Sequence, residues 1–118
     1  MEQPAAVLNC FLGIGTDGHT ASLLPEARAL HEESRLVVAV KGGTPNISRI
    51  TLTYPVLNRA RRIVFLVAGR EEAETVKALL EGARPELPAA KIKPLQGDVI
   101  WLLDQEAASL LDIRDSLG

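Results

Sequence analysis

An α/β fold is predicted by three observations. Apolar, strand-like runs recur at residues 5–12, 36–40, 63–67 and 99–103, helical patterns lie between or after several of them, and the first run leads into a turn crowded with glycine and polar side chains. That last arrangement is how open α/β sheets place ligand sites, at the carboxyl ends of their strands.

Each element has its own justification. Residues 5–12 are apolar and continuous, as a strand buried on both faces requires. Residues 70–81 combine an apolar stripe of Ala73, Val76, Leu79 and Leu80 with charged positions, and Gly82 is placed to end the helix. Its outer face carries Glu71, Glu72 and Glu74, read as a solvated surface. A second helix is expected over 105–111, with Asp104 as N-cap and Ala107, Ala108, Leu110 and Leu111 turned inward. Residues 41–46 and 84–88 are loops by their glycine and proline content, and neither is long enough to separate domains. Residues 1–118 therefore read as one domain. Four strands with no certain neighbour for the first suggest that part of the sheet is missing.

Composition narrows the function classes. The chain is 47% hydrophobic with a formal charge of -2 and 3% aromatic residues. Neither a basic field for nucleic acid nor a stacking platform for single strands is present. No continuous apolar run approaches the ~20 residues of a membrane span, and no signal-peptide layout is visible, so a cytoplasmic setting is expected. Cys10 is the single cysteine, which excludes an internal disulfide and suits a small core residue.

The chemistry concentrates in Gly13-Ile14-Gly15-Thr16-Asp17-Gly18-His19-Thr20-Ala21-Ser22. Glycines let the chain turn sharply with backbone N–H groups toward a ligand, so Gly15 and Gly18 are candidate binding positions. The spacing satisfies G-x-G-x-x-G, but Pro25 cuts short the helix that dinucleotide binding needs, and the next strand ends in Lys41 rather than an acid. No cofactor is expected. A metal site would lack ligands, since His19 and His31 are the two histidines and neither H-x-x-x-H nor C-x-x-C occurs. Asp17 and His19 remain as working groups: an ordinary imidazole titrates near ~6.5 and can take a proton from water at neutral pH. Ser22 lacks the strained elbow of a nucleophilic serine and Cys10 lacks a basic neighbour, so neither is the nucleophile. His31 reads as a surface residue.

A second constellation lies at Arg49-Ile50-Thr51-Leu52-Thr53, where Arg49, Thr51 and Thr53 share one face if the segment is extended. Arginine suits two-pronged phosphate binding. Lys41, in the preceding loop, either adds a point charge there or makes a surface ion pair.

These segments resemble the 6-phosphogluconolactonases, which share a fold with glucosamine-6-phosphate deaminases and ribose-5-phosphate isomerases. The resemblance rests on the glycine turn through Pro25, on Arg49 to Thr53 with Pro55-Val56-Leu57-Asn58, on Val64-Phe65-Leu66-Val67-Ala68-Gly69, on Leu87-Pro88-Ala89-Ala90 and on Val99-Ile100-Trp101-Leu102-Leu103-Asp104. Thr20-Ala21-Ser22-Leu23 is the lactonase continuation of the turn, where deaminases usually carry Ile and an Asn-Glu-Pro element. The resemblance implies a three-layer, Rossmann-like, parallel-rich sheet that lacks its N-terminal half here, because family members run to about twice this length. It implies hydrolysis of 6-phospho-D-glucono-1,5-lactone without metal or organic cofactor, with His19 as general base, Asp17 assisting, and Arg49 holding the phosphate. Backbone amides of the glycine turn are expected to stabilise the oxyanion. Two other readings stay open: a sugar-phosphate deaminase or isomerase, and an inactive half-domain that folds on a partner, either its missing N-terminal half or a second copy.

Overall fold

The computed structural model describes residues 9–43 and 46–112. Strand β1 (Asn9–Leu12), β4 (Arg62–Val67) and β5 (Asp98–Leu103) form a parallel sheet in the order β1-β4-β5. Leu12 pairs with Phe65, and Phe65 with Trp101, so the three strands end side by side. The first half of the expected opening strand, residues 5–8, lies outside the described residues.

Alternation along the strands divides the sheet into two faces. Cys10, Leu12, Ile63, Phe65, Val67, Val99, Trp101 and Leu103 lie on one, and all of them belong to the apolar core or pack against it. Phe65 is fully buried and stacks on Trp101 with ring centroids 4.4 Å apart. Both chain connections cover this same face. Helix α1 (Tyr54–Leu57) brings Tyr54 and Leu57 onto Leu12, Ile63 and Phe65, while helix α2 (Ala73–Glu81) brings Val76 onto Val67. A chain stepping in one direction across a sheet with crossovers of one hand covers one face, which is the arrangement here. The opposite face carries Phe11, Leu66 and Leu102, which are 64%, 50% and 51% exposed.

Three expectations are corrected. Residues 36–40 do not join the parallel sheet. They form β2 (Val37–Gly42), which pairs antiparallel with β3 (Ile47–Leu52), and the short glycine-rich connection explains this. A parallel neighbour would need a crossover of a dozen residues or more.

Helix α2 begins at Ala73 rather than at residue 70, because Gly69 and Arg70 turn the chain first, closed by the Ala73 N–H on the Arg70 carbonyl at 3.0 Å. Gly82 ends it as expected, the Ala83 N–H reaching back to the Ala78 carbonyl.

Residues 105–111 form consecutive turns, not a helix. Asp104 does cap them, accepting from the Ala107 N–H at 2.8 Å, and Ala107 is fully buried, but Leu110 is exposed. Seven residues with one buried anchor do not repay the cost of nucleating a helix. No helix among the described residues is long and apolar enough to cross a membrane.

Candidate active site

The glycine turn leaves the carboxyl end of β1 and is closed by its own backbone. The Gly15 N–H donates to the His19 carbonyl and the Gly18 N–H to the Gly15 carbonyl, both at 3.0 Å. Thr20, fully buried, donates its hydroxyl to the Gly13 carbonyl at 2.8 Å and so pins the start of the turn to its end. Gly18 sits at φ +82°, where a side chain would be strained, and packs against Leu87. Gly15 has no room for a Cβ: the His19 ring and Asp17 Oδ1 occupy that space. Gly15 therefore lines the cleft and seats the two polar residues, whereas Gly18 shapes the turn from behind.

Asp17 and His19 form a close pair. Asp17 Oδ1 lies 2.6 Å from His19 Nδ1 and also accepts from the His19 backbone N–H at 3.1 Å. Partial burial acts to raise the Asp17 pKa, but the hydrogen bonds from His19 and its charge outweigh burial and hold the carboxyl below its ordinary value. An ionised carboxylate accepts and cannot donate, so Nδ1 carries the shared proton, and Nε2 is the nitrogen that holds the lone pair whenever the ring is neutral. The His19 side chain remains 36% and the Asp17 side chain 50% exposed, and both line the cleft.

The pair faces an open cleft of about 460 Å³, whose walls include Thr16, Ala21, Ser22, Leu24 and Gly43. Arg49 enters from the hairpin. It shares the inward face of β3 with Thr51, as the alternation predicts, and Thr53 continues that face beyond the strand with both threonines buried. The hairpin is latched to the turn by the Ser22 N–H on Thr51 Oγ1 at 3.0 Å, and to its own base by the Thr53 hydroxyl on the Arg35 carbonyl at 2.6 Å. Lys41 pairs in register with Ser48 on the outward face of the hairpin, with Val37, Ala39 and Ile50, and does not line the cleft.

Glu71 and Glu72 stand in the cleft wall, Glu71 exposed as its reading as solvated surface expects and Glu72 half-buried. They follow the carboxyl end of β4 directly, and that placement is the available signal. The amides of the turn are unequally placed for the expected oxyanion role. Those of Gly15, Gly18 and His19 are engaged within the turn and that of Ser22 with Thr51, so these four are not spare donors for an oxyanion.

Two tethers have no signal in the sequence. Thr75 on α2 donates its hydroxyl to the Thr16 carbonyl at 2.9 Å, and the Ala89 N–H donates to the Gly18 carbonyl at 2.9 Å. Cys10 is half-buried in β1, and burial pushes its thiol up. His31 is exposed. Among the described residues no group of three or more His, Cys, Asp and Glu side chains is arranged to hold a metal ion.

Comparison with known proteins agrees with this geometry. The family described as glucosamine-6-phosphate isomerases/6-phosphogluconolactonase matches residues 4–101. A 6-phosphogluconolactonase of Rattus norvegicus is 41% identical over 103 residues, covering 86% of this chain and 40% of that protein. One from Synechocystis is 47% identical over 103 residues, covering 85% and 41%. The solved 6-phosphogluconolactonase of Trypanosoma brucei superposes with a TM-score of 0.78 at 31% identity, over 88% of this chain and 42% of that one. A monomeric glucosamine-6-phosphate deaminase superposes with a TM-score of 0.69 at 29% identity, over 86% and 47%. The chain thus spans about two fifths of the length of the curated relatives it matches. The match of the family model over residues 4–101 places the chain in the glucosamine-6-phosphate isomerase/6-phosphogluconolactonase family.

Proposed function

We propose that the cleft is part of a lactonase site that hydrolyses 6-phospho-D-glucono-1,5-lactone to 6-phospho-D-gluconate, in the oxidative pentose phosphate pathway. The observation that carries this reading is the Asp17–His19 pair after the carboxyl end of β1, with Nδ1 held by a carboxylate and both residues lining the cleft. The names of the relatives support the substrate. The sequence between the pair and Pro25 supports lactonase over deaminase.

In this mechanism His19 Nε2 takes a proton from water as the water oxygen attacks the lactone carbonyl carbon, giving a tetrahedral oxyanion. Collapse re-forms the carbonyl, breaks the bond to the ring oxygen and returns the proton from Nε2 to that oxygen. Asp17 keeps the imidazole in the reactive tautomer and stabilises the imidazolium formed in between. Arg49 binds the phosphate in both ground and transition states; the outward-facing Lys41 is left out of this contact. The substrate is a small sugar-phosphate lactone, and no cofactor enters any step. The polypeptide partner is the remaining length of a full family member or a second copy of this chain, and the setting is the cytoplasm.

The test is turnover of freshly generated 6-phosphogluconolactone, corrected for spontaneous hydrolysis, in this chain alone and with the complementary part of a full-length relative. Lactone turnover in either arm, with none on glucosamine 6-phosphate, is the expected result. The opposite preference assigns the same imidazole to ring opening in a deaminase, as likeness to the solved deaminase would allow. Inactivity on both substrates in both arms leaves an inactive half-domain.

A further inference from the structure

A catalytic pair is held in place by packing and by hydrogen bonds, and in the glycine turn Leu87 packs on Gly18 while Thr16 and Asp17 border open space. Behind Thr16 and Asp17 lies a second cavity of about 200 Å³, bounded by Thr75 and Ala78 of α2 and by Arg84 and Leu87. The Arg84 guanidinium is engaged with Glu86. Side chains do not fill the space beside the Thr16–Asp17 peptide, so a hydrogen bond across it bears on the peptide's position. The Thr75 hydroxyl, 59 residues away in sequence, spans the gap and donates to the Thr16 carbonyl at 2.9 Å.

We propose that Thr75 is a positioning residue: its hydroxyl fixes the peptide that carries Asp17 and thereby sets the Asp17–His19 hydrogen bond. The Thr16 carbonyl belongs to the peptide unit whose nitrogen is that of Asp17, so its direction sets where the Asp17 side chain starts. On the other side of Asp17, the Gly18 carbonyl is held by the Ala89 N–H. The carboxylate is thus suspended between two long-range tethers, one from α2 and one from the 3-10 turn Pro88–Lys91. Freed from the first, the turn can rotate about the second, and the 2.6 Å contact to Nδ1 is the first to lengthen.

This inference rests on the reading of Asp17 and His19 given above, and its test has an arm independent of turnover. Thr75→Val keeps the shape and removes the donor; Thr75→Ser restores the donor. In a His31→Gln background His19 is the single imidazole, and proton–nitrogen correlation spectra report its Nδ1 proton directly. Thr75→Val is expected to shift or exchange-broaden that proton and to lower kcat on the lactone about tenfold with KM within about twofold. Thr75→Ser is expected to restore both, with far-ultraviolet circular dichroism and Tm close to wild type. An undisturbed Nδ1 proton in Thr75→Val overturns the proposal, as does a serine variant as impaired as the valine. Should Thr75→Val not fold, Thr75→Ala carries the same expectation without the added bulk. If the unmutated protein turns over no lactone either alone or with the complementary part of a full-length relative, the hydrolytic reading fails while the spectra still decide whether Thr75 holds the pair.

Discussion

A carboxylate cannot donate a hydrogen bond, and that restriction decides which nitrogen of His19 is reactive. Because the His19 hydrogen bonds outweigh partial burial and lower the Asp17 pKa, the carboxylate stays ionised throughout the neutral range. Its contribution to stability is present above the unfolded carboxylate pKa and is lost as pH falls through the lower folded one. Loss of activity on mild acidification is then not a titration of Asp17. His19→Ala is expected to lower kcat by about 10²-fold or more, measured on the lactone against the spontaneous rate; near-wild-type turnover would remove it from the mechanism. Arg49→Ala is expected chiefly to raise KM, because a phosphate held equally in ground and transition states contributes to binding and not to kcat. An unchanged KM would make Arg49 a structural residue of the hairpin. Both residues are legible in the sequence, His19 from its glycine neighbours and Arg49 from its alternation with Thr51. The approach of their elements is not, since the Ser22–Thr51 latch that brings them together is a contact between segments 29 residues apart.

Elements that look unrelated in the sequence converge on the turn. The Tyr54 hydroxyl of α1 donates to the Pro88 carbonyl at 2.7 Å, and the neighbouring Ala89 N–H holds Gly18, so α1 supports the site through one intermediate turn. Burial pushes the Tyr54 phenol up to about 12 from its ordinary 10.0. Since the folded value lies above the unfolded one, the stability this neutral hydroxyl confers is complete below pH 10 and is lost as pH rises through 12. Tyr54 is the single tyrosine, so the ultraviolet absorbance of tyrosinate reports it alone. A midpoint near 12 is expected in the folded protein, falling toward 10 in urea; a folded midpoint near 10 would mean the hydroxyl is solvated and the link to Pro88 absent. Tyr54→Phe is expected to cost about 1 kcal/mol in denaturant unfolding. The strands at 63–67 and 99–103 are readable from their apolar runs, whereas the pairing of the hairpin is not, because short β-branched segments look alike in parallel and antiparallel sheets. Residues 105–111 have helical periodicity without enough burial, and their partner surface is set by Val67 and Val76, which no local pattern reveals.

At the scale of the whole molecule, one side of the sheet is only partly covered among the described residues, with Val64 buried on it beside exposed neighbours. Parallel sheets are normally covered on both faces, yet Phe11, Leu66 and Leu102 face solvent on three adjacent strands, and β1 is an edge among the described residues. The connections β1 to β4 and β4 to β5 both pass over the other face, so within the described residues no crossover covers this one. In a doubly wound sheet the opposite face is covered by crossovers that step the other way from the first strand, and the ligand site falls at the strand where the direction reverses. Among the described residues β1 is an edge strand, and its carboxyl end leads into the turn that carries Asp17 and His19. Taken alone in solution, this 118-residue chain is expected to bury the face against a second copy of itself. Sedimentation velocity over a hundredfold concentration range should then show reversible association. Leu66→Lys with Leu102→Lys should suppress it while leaving Tm within a few degrees, because both side chains are already half in water. A chain that stays monomeric at high concentration and binds no apolar dye would show that water alone satisfies this face, and the half-domain reading would lose its physical basis.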